Sequence, residues 1–254
     1  MKNKPDVLSF RDVSVQYSSS GPFALRNVTF DVCAGERVAL VGPSGAGKTT
    51  ILSAANGLVT PVSGSVVVNG VDTADLGKRQ YRSTRSTIGS VPQGNALVGP
   101  LRVAHNVASG RLGQWGPLEV IRTLIRPRDT DAILAVLDEV GIGDKLWERA
   151  DRLSGGQQQR VAIARTLYQN ANLILADEPV SALDPARSEA VLEILTEVVT
   201  GESGRALVTS MHDAPLALKH CTRIIGLRAG EVLFDQPADQ VDDVQLDSLY
   251  ELEG

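Results

Sequence analysis

Gly42-Pro43-Ser44-Gly45-Ala46-Gly47-Lys48-Thr49-Thr50 fits the pattern G-x-x-x-x-G-K-[ST], and its reading decides the architecture. The glycines let consecutive backbone N–H groups curl around a polyphosphate. Lys48 can then reach the outer phosphates, and the Thr49 hydroxyl is left to hold Mg²⁺. Such a loop needs a strand before it and a helix after it. Arg37-Val38-Ala39-Leu40-Val41 is a short apolar run feeding straight into the loop, and Thr49 to Gly57 reads as a helix closed by glycine.

Far along the chain, Leu173-Ile174-Leu175-Ala176-Asp177-Glu178-Pro179 is an apolar run ending in two carboxylates. It reads as a buried strand that delivers acid groups to its C-terminal edge. One acid can hold the water shell of a metal ion, and the next can orient an attacking water. The two segments together imply nucleotide hydrolysis.

Between and around them, strand and helix patterns alternate. Val7 to Phe10, Val13 to Tyr17 and Val28 to Val32 alternate as strands do, and Ser65 to Gly70 follows a turn framed by Pro61 and Gly64. From about Asn95 to Asn170 the pattern is helical. There Ile133, Leu134, Leu137 and Val140 share one face, and Gly141 ends that helix. Asp184-Pro185 reads as an N-cap followed by proline at the first helical position, and Val191, Leu192, Leu195 and Val198 line the helix it opens. Ala206 to Ser210 and Arg223 to Leu227 are further short apolar strands. The alternation implies a mainly parallel sheet covered on both faces, with a helical block inserted into it.

With 254 residues, the chain is long enough for one large domain or two intimate subdomains. Its net charge of -5 argues against a large nucleic-acid surface, so no nucleic-acid partner is expected. Cys33 and Cys221 are isolated, which suits two buried or half-buried thiols in a reducing compartment. Met1 to Asp6 lacks the apolar core of a signal peptide, and no stretch is long enough to span a bilayer. Work at a membrane would therefore require another chain to hold this one there.

Leu153-Ser154-Gly155-Gly156-Gln157-Gln158-Gln159-Arg160 narrows the reading. Here the chain resembles the ATP-binding subunits of ABC transporters, whose signature is LSGGQ. The resemblance covers nearly the whole chain, with further elements in order: Tyr17 matches the aromatic that stacks on adenine, Gln93 the Q-loop, Ser181-Ala182-Leu183-Asp184 the D-loop, and His212 the switch histidine. It implies an α/β fold: a P-loop (RecA-like) core with a small antiparallel β subdomain and an inserted α-helical signature subdomain. Residues 1–92 and 165–235 would form the core and β subdomain, 93–164 the helical subdomain, and 236–254 an acidic, peripheral tail within a single domain of residues 1–254.

The signature also has a physical rationale. Ser154 is a suitable N-cap, and two glycines leave the helix N-terminus bare for a phosphate. In the family it serves the γ-phosphate on the opposite subunit, which implies a head-to-tail homodimer sandwiching two ATP molecules. The roles implied follow the phosphoryl-transfer template. Gly42 to Thr50 cradle the phosphates and Lys48 neutralises the outer two. Thr49, Gln93 and Asp177 hold Mg²⁺, Asp177 through its water shell. Glu178 polarises the attacking water, His212 contacts the γ-phosphate, and Asp184 passes information across the interface. Ser154, Gly155, Gly156 and Gln157 contact the partner subunit's nucleotide.

Gln93-Gly94-Asn95-Ala96-Leu97-Val98, Asn106-Val107, Gly110-Arg111-Leu112-Gly113 and Asn56-Gly57-Leu58-Val59 resemble the ATPase of phosphonate importers. Gly94 and the Ser181-Ala182 order depart from that group. The resemblance implies a peripheral ATPase on the cytoplasmic face of the membrane, bound to two permease chains and fed by an external binding protein. An ABC ATPase for another small solute, or one of the lipoprotein-export or cell-division type, is the alternative. His105 and His220 are expected to be structural, Trp115 and Trp147 to be packing residues, and Asp72, Asp75, Asp242, Asp243, Gln158 and Gln159 to be solvated.

Overall fold

Two sheets carry the fold in the computed structural model, which describes residues 6–18, 20–74, 83–94, 97–125, 127–181, 183–200 and 204–250. In chain order the strands are β1 (Asp6–Gln16), β2 (Phe23–Cys33), β3 (Arg37–Val41), β4 (Ser63–Val68), β5 (Val71–Asp72), β6 (Ile88–Val91), β7 (Leu173–Asp177), β8 (Ala206–Met211), β9 (Arg223–Arg228) and β10 (Glu231–Pro237). The smaller sheet is antiparallel, in the order β2-β1-β4-β5. Phe10 sits directly opposite Phe30, with their rings stacked 4.7 Å apart. Such cross-strand aromatic pairs are worth a few tenths to about 1 kcal/mol.

The larger sheet runs β10-β9-β3-β8-β7-β6, parallel except for the β10 edge. Its central strands β3, β8 and β7 are near-continuous apolar runs because both faces are covered there. Side chains alternate between two cores, as the two-residue period of a strand requires. Val38, Leu40, Leu173, Leu175 and Val208 enter the core shared with the smaller sheet and with helix α1 (Lys48–Ala55). Ala39, Val41, Ile174, Ala176 and Leu207 face the opposite core.

That second core is built by helices α2 (Val103–Ala108), α4 (Thr130–Glu139), α5 (Gly155–Gln169), α6 (Pro185–Thr200), α7 (Ala214–His220) and α8 (Asp243–Tyr250), while α3 (Pro117–Ile125) lies against α2. The periodic residues act as read. Ile133, Leu137 and Val140 are buried, and Gly141 leaves α4 at φ +69°, in the left-handed region that glycine adopts freely. Asp184 caps α6, its carboxylate accepting from the Arg187 N–H at 3.1 Å, with Pro185 first in the helix. Cys33 is half-buried and Cys221 buried; burial pushes the Cys221 thiol up to about 12, which leaves it unreactive at neutral pH. Among the described residues, no helix is long and apolar enough to cross a membrane.

Several surface expectations are corrected. Gln159 is buried in α5, and Gln158 donates to the carbonyls of Ala150 and Leu153, both at 3.1 Å, because α5 is packed along several sides. Trp115 packs on the core, whereas Trp147 is 49% exposed and lies beneath the Arg102 guanidinium, 5.8 Å from its ring centre. The segment after Gln236 is docked rather than peripheral, since Leu249 is buried and Leu246 packs beside it. His220 is buried against Glu189 at 3.2 Å, as a structural histidine would be. Asp72 turns back on the chain by accepting from the Ala74 N–H at 2.9 Å, whereas Asp242 and Asp243 are exposed as expected, with Asp242 also accepting from the Gln245 N–H at 2.8 Å at the start of α8. Asp75, Asn95, Ala96 and Ala182 lie outside the described residues.

Candidate active site

Four neighbouring parallel strands, β6, β7, β8 and β3, end at the same edge of the sheet. Ligands of open α/β sheets bind at this carboxyl edge, where the loops diverge. Gln93 follows β6, Asp177 and Glu178 close β7, His212 follows β8, and the phosphate loop follows β3. Residues more than a hundred positions apart are thereby gathered at one cavity of 360 Å³, lined by Tyr17, Ala24, Ser44, Gly45, Gly47, Lys48, Thr49, Thr50, Glu178 and His212.

The loop's glycines have physical causes. Gly42 stands at φ +148°, and a Cβ there would lie 2.1 Å from the Leu227 carbonyl oxygen. Gly47 caps α1 at φ +106°, where a Cβ would press on Leu25 at 2.7 Å and on the Ala24 carbonyl at 2.9 Å. Only glycine fits at either point. The first turn of α1 carries no acidic side chain, so its N–H groups and dipole remain available to an anion.

Lys48 is buried, and its ammonium donates to the carbonyls of Gly42 at 2.7 Å and Pro43 at 3.0 Å. Burial lowers its pKa, opposed by the nearby charges of Glu178 and Asp177. The lysine is thus held across the mouth of its own loop, pointed at the place where phosphates would lie. Tyr17 stands at the lip, 68% exposed, with its hydroxyl 3.2 Å from that of Thr50. An aromatic ring left this open beside a cavity is free to stack on a planar ligand.

The two carboxylates are held differently. Asp177 accepts from the Thr49 hydroxyl at 3.2 Å and from the Ser210 hydroxyl at 2.6 Å. Glu178 is clasped on both oxygens, by the Gln93 amide at 2.6 Å and by the His212 ring nitrogen. Its backbone sits at φ +45°, a region that costs a residue with a side chain about 1–2 kcal/mol. The Glu178 N–H donates to the Ser210 hydroxyl at 2.9 Å, which helps hold that conformation.

Ser210 is a site residue that the sequence reading passed over as a strand end. It is fully buried and pairs in register with Asp177, so one hydroxyl serves both acids. A polar residue closing an otherwise apolar strand, two positions before His212, was the available signal. Ser210→Ala removes a hydrogen bond to a charged group and leaves the Glu178 N–H without this acceptor. It should cost about 2 kcal/mol of stability, a fall in Tm of about 4–8 °C by calorimetry.

Thr49, Gln93 and Asp177 offer only oxygen donors at the cavity edge, a set that fits a hard cation such as Mg²⁺. The signature residues lie elsewhere. Ser154 and Gln157 close a reciprocal capping box at the start of α5, with N–H to oxygen distances of 3.3 and 3.0 Å. A Cβ on Gly155 would approach Leu183 at 3.8 Å, and one on Gly156 would approach Arg187 at 3.6 Å. The signature therefore sits against the Asp184 loop. Within one chain, Ser154 to Gln157 and Asp184 do not line the cavity that holds Lys48.

A family model described as ABC transporter matches residues 25–181, more than half of the chain. The chain belongs to the ABC transporter family. It is 45% identical over 232 residues to the phosphonates import ATP-binding protein PhnC 1 of Pseudomonas syringae pv. tomato, covering 91% of this chain and 87% of that protein. It is 46% identical over 228 residues to the phosphonates import ATP-binding protein PhnC of Anaeromyxobacter dehalogenans, covering 90% of this cassette but only 45% of that longer protein. Among solved structures, the ATP-binding cassette MJ0796, a dimer in a post-hydrolysis state with ADP and Pi, matches with a TM-score of 0.74. That match has 31% identity and covers 91% of this cassette and 98% of that chain. These matches agree with the α/β fold described above.

Proposed function

We propose that this cassette is the ATP-hydrolysing motor of a membrane importer for phosphonates or a related phosphorus oxyanion. The observation that carries this reading is the convergence of Lys48, Glu178 and His212 on one cavity, in a chain 45% identical over 232 residues to a named phosphonate-import subunit. Tyr17 stacks on adenine, and the N–H groups from Gly42 to Thr50 wrap the phosphates. Lys48 offsets the charge that builds on the outer phosphates during transfer. Glu178 polarises the attacking water, while Gln93 and His212 hold its carboxylate in place. His212 also reads whether the γ-phosphate is present. A Mg²⁺ ion held by Thr49, Gln93 and Asp177 would offset further charge on the phosphates.

The signature then serves a partner. Ser154 to Gln157 present a capped, glycine-bare helix start that does not line the cavity of their own chain's phosphate loop, which favours a head-to-tail homodimer with ATP between the subunits. Asp184, packed beside the signature through Leu183, couples the two sites.

A second cleft, of 370 Å³, is lined in part by Asn56, Arg85, Ser86, Ser90, Ser109, Arg165 and Gln169. Burial lowers the Arg165 pKa. Ser90 lies on β6, three residues before Gln93, so an occupant of this cleft can act on the carboxylate clasp through a short stretch of chain. We assign this cleft to a permease chain, two of which would hold the ATPase dimer at the cytoplasmic face of the membrane beneath an external binding protein.

The test is ATP hydrolysis by the complex co-expressed with its permease in lipid, with its binding protein and a panel of phosphonates, phosphite, phosphate and sulfate. Stimulation by a phosphorus oxyanion is expected. Stimulation by none of the phosphorus compounds, with basal hydrolysis intact, would overturn the cargo and leave the motor.

A further inference from the structure

The C-terminal helix α8 is fixed to the core at two points just before Tyr250, which is itself 43% exposed. Leu249 is 1% exposed among core side chains, and the Arg228 guanidinium donates to the Ser248 carbonyl at 2.8 Å. The next residue, Tyr250, reaches back to the active edge of the sheet. Its hydroxyl donates to the His212 carbonyl at 3.4 Å.

Gly42 and His212 leave the neighbouring strands β3 and β8, where Val41 pairs with Met211. One opens the phosphate loop, and the other carries the ring that clasps Glu178. The phenol of Tyr250 therefore ties the C-terminal helix to the backbone that sets how far His212 stands from the bound phosphates. Burial and then Asp213 raise the Tyr250 pKa, so the hydroxyl keeps its proton and can donate to a carbonyl at any ordinary pH.

We propose that Tyr250 is a positioning residue for ATP hydrolysis: its hydroxyl holds the His212 backbone in place, so the C-terminal helix sets the reach of the catalytic switch. This rests on the reading of His212 as the group that contacts the γ-phosphate. The tail is then a built part of the hydrolytic machinery, and any contact that lifts α8 would loosen the His212–Glu178 pair.

Tyr250→Phe keeps the ring and its packing and deletes only the hydrogen bond to the His212 carbonyl. With the purified full chain, kcat for ATP should fall about 3- to 10-fold, the range of one neutral hydrogen bond. KM for ATP and the affinity for ADP should stay within about twofold, and Tm within about 2 °C, because the ring and its packing are retained. A purely structural role would instead lower Tm without this split between kcat and KM. A kcat within twofold of the wild type, or a loss of kcat that follows a loss of Tm, overturns the proposal. His212→Ala measured alongside separates the two layers: if it hydrolyses ATP normally, the reading of His212 falls and takes the proposal with it. If it is inactive while Tyr250→Phe is normal, only the role of Tyr250 falls.

Discussion

Lys48→Ala should lower ATP hydrolysis by about 10³-fold or more, the scale on which a fixed positive group acts on a transferring phosphoryl group. The effect follows from where the ammonium is held. It is buried, gripped by the carbonyls of Gly42 and Pro43, and aimed into the cavity beneath the loop. Its solvation was already exchanged for loop carbonyls on folding, so little reorganisation remains when phosphates arrive. Alanine removes the charge and also leaves the two carbonyls without their donor, so the loop itself loses its brace. Nucleotide affinity should therefore fall together with turnover, by fluorescence titration with ATP and ADP. Lys48→Arg restores charge but not fit, because a planar guanidinium cannot replace a compact ammonium between two carbonyls 2.7 and 3.0 Å away. It should rescue little of the loss. Turnover within tenfold of the wild type in the alanine variant would remove Lys48 from the site.

The parts of this cassette that were legible from the chain alone are those whose chemistry is contiguous. Gly42 to Thr49 is read as a unit because its backbone must turn around an anion within a few residues, and the flanking β3 and α1 follow from it. Asp177 and Glu178 are legible because an apolar run ending in two acids has few other physical meanings. Gln93 and His212 are isolated side chains, and only the resemblance drew attention to them; the geometry that joins both to Glu178 depends on strand order. Ser210 escaped because its partner is set by the β7–β8 register, 33 residues away. The docking of α8 escaped because the tail is short and acidic, and what fixes it is Leu249 in the core and Arg228 on β9, neither of which marks the tail as a packed element. Gln159 was read as solvated because a polar side chain suggests water, whereas the position is decided by how many sides of α5 are covered.

Glu178→Gln separates binding from chemistry, and its expected effect is a loss of about 10²–10⁴ in kcat, the usual contribution of a positioned general base. The amide keeps the size of the carboxylate and can still accept from the Gln93 amide, so the clasp around position 178 persists in part. What it loses is the negative charge that polarises water. With Lys48, Thr49 and the glycine loop intact, ATP should bind as tightly as in the wild type or more so, since the phosphates gain by having one fewer carboxylate beside them. The backbone strain at Glu178 is independent of the side-chain charge, so Tm without nucleotide should change by no more than about 2 °C. In the head-to-tail dimer reading, hydrolysis is what releases the subunits, and the variant should accumulate as a dimer once ATP and Mg²⁺ are added. Light scattering after size exclusion, with and without ATP, reads this directly. A variant that loses hydrolysis yet stays monomeric with ATP, at concentrations well above its nucleotide affinity, would keep Glu178 as the catalytic base and dismiss the sandwich. A variant that hydrolyses normally would remove Glu178 from the chemistry, because its pairing with Gln93 and His212 would then serve the fold alone.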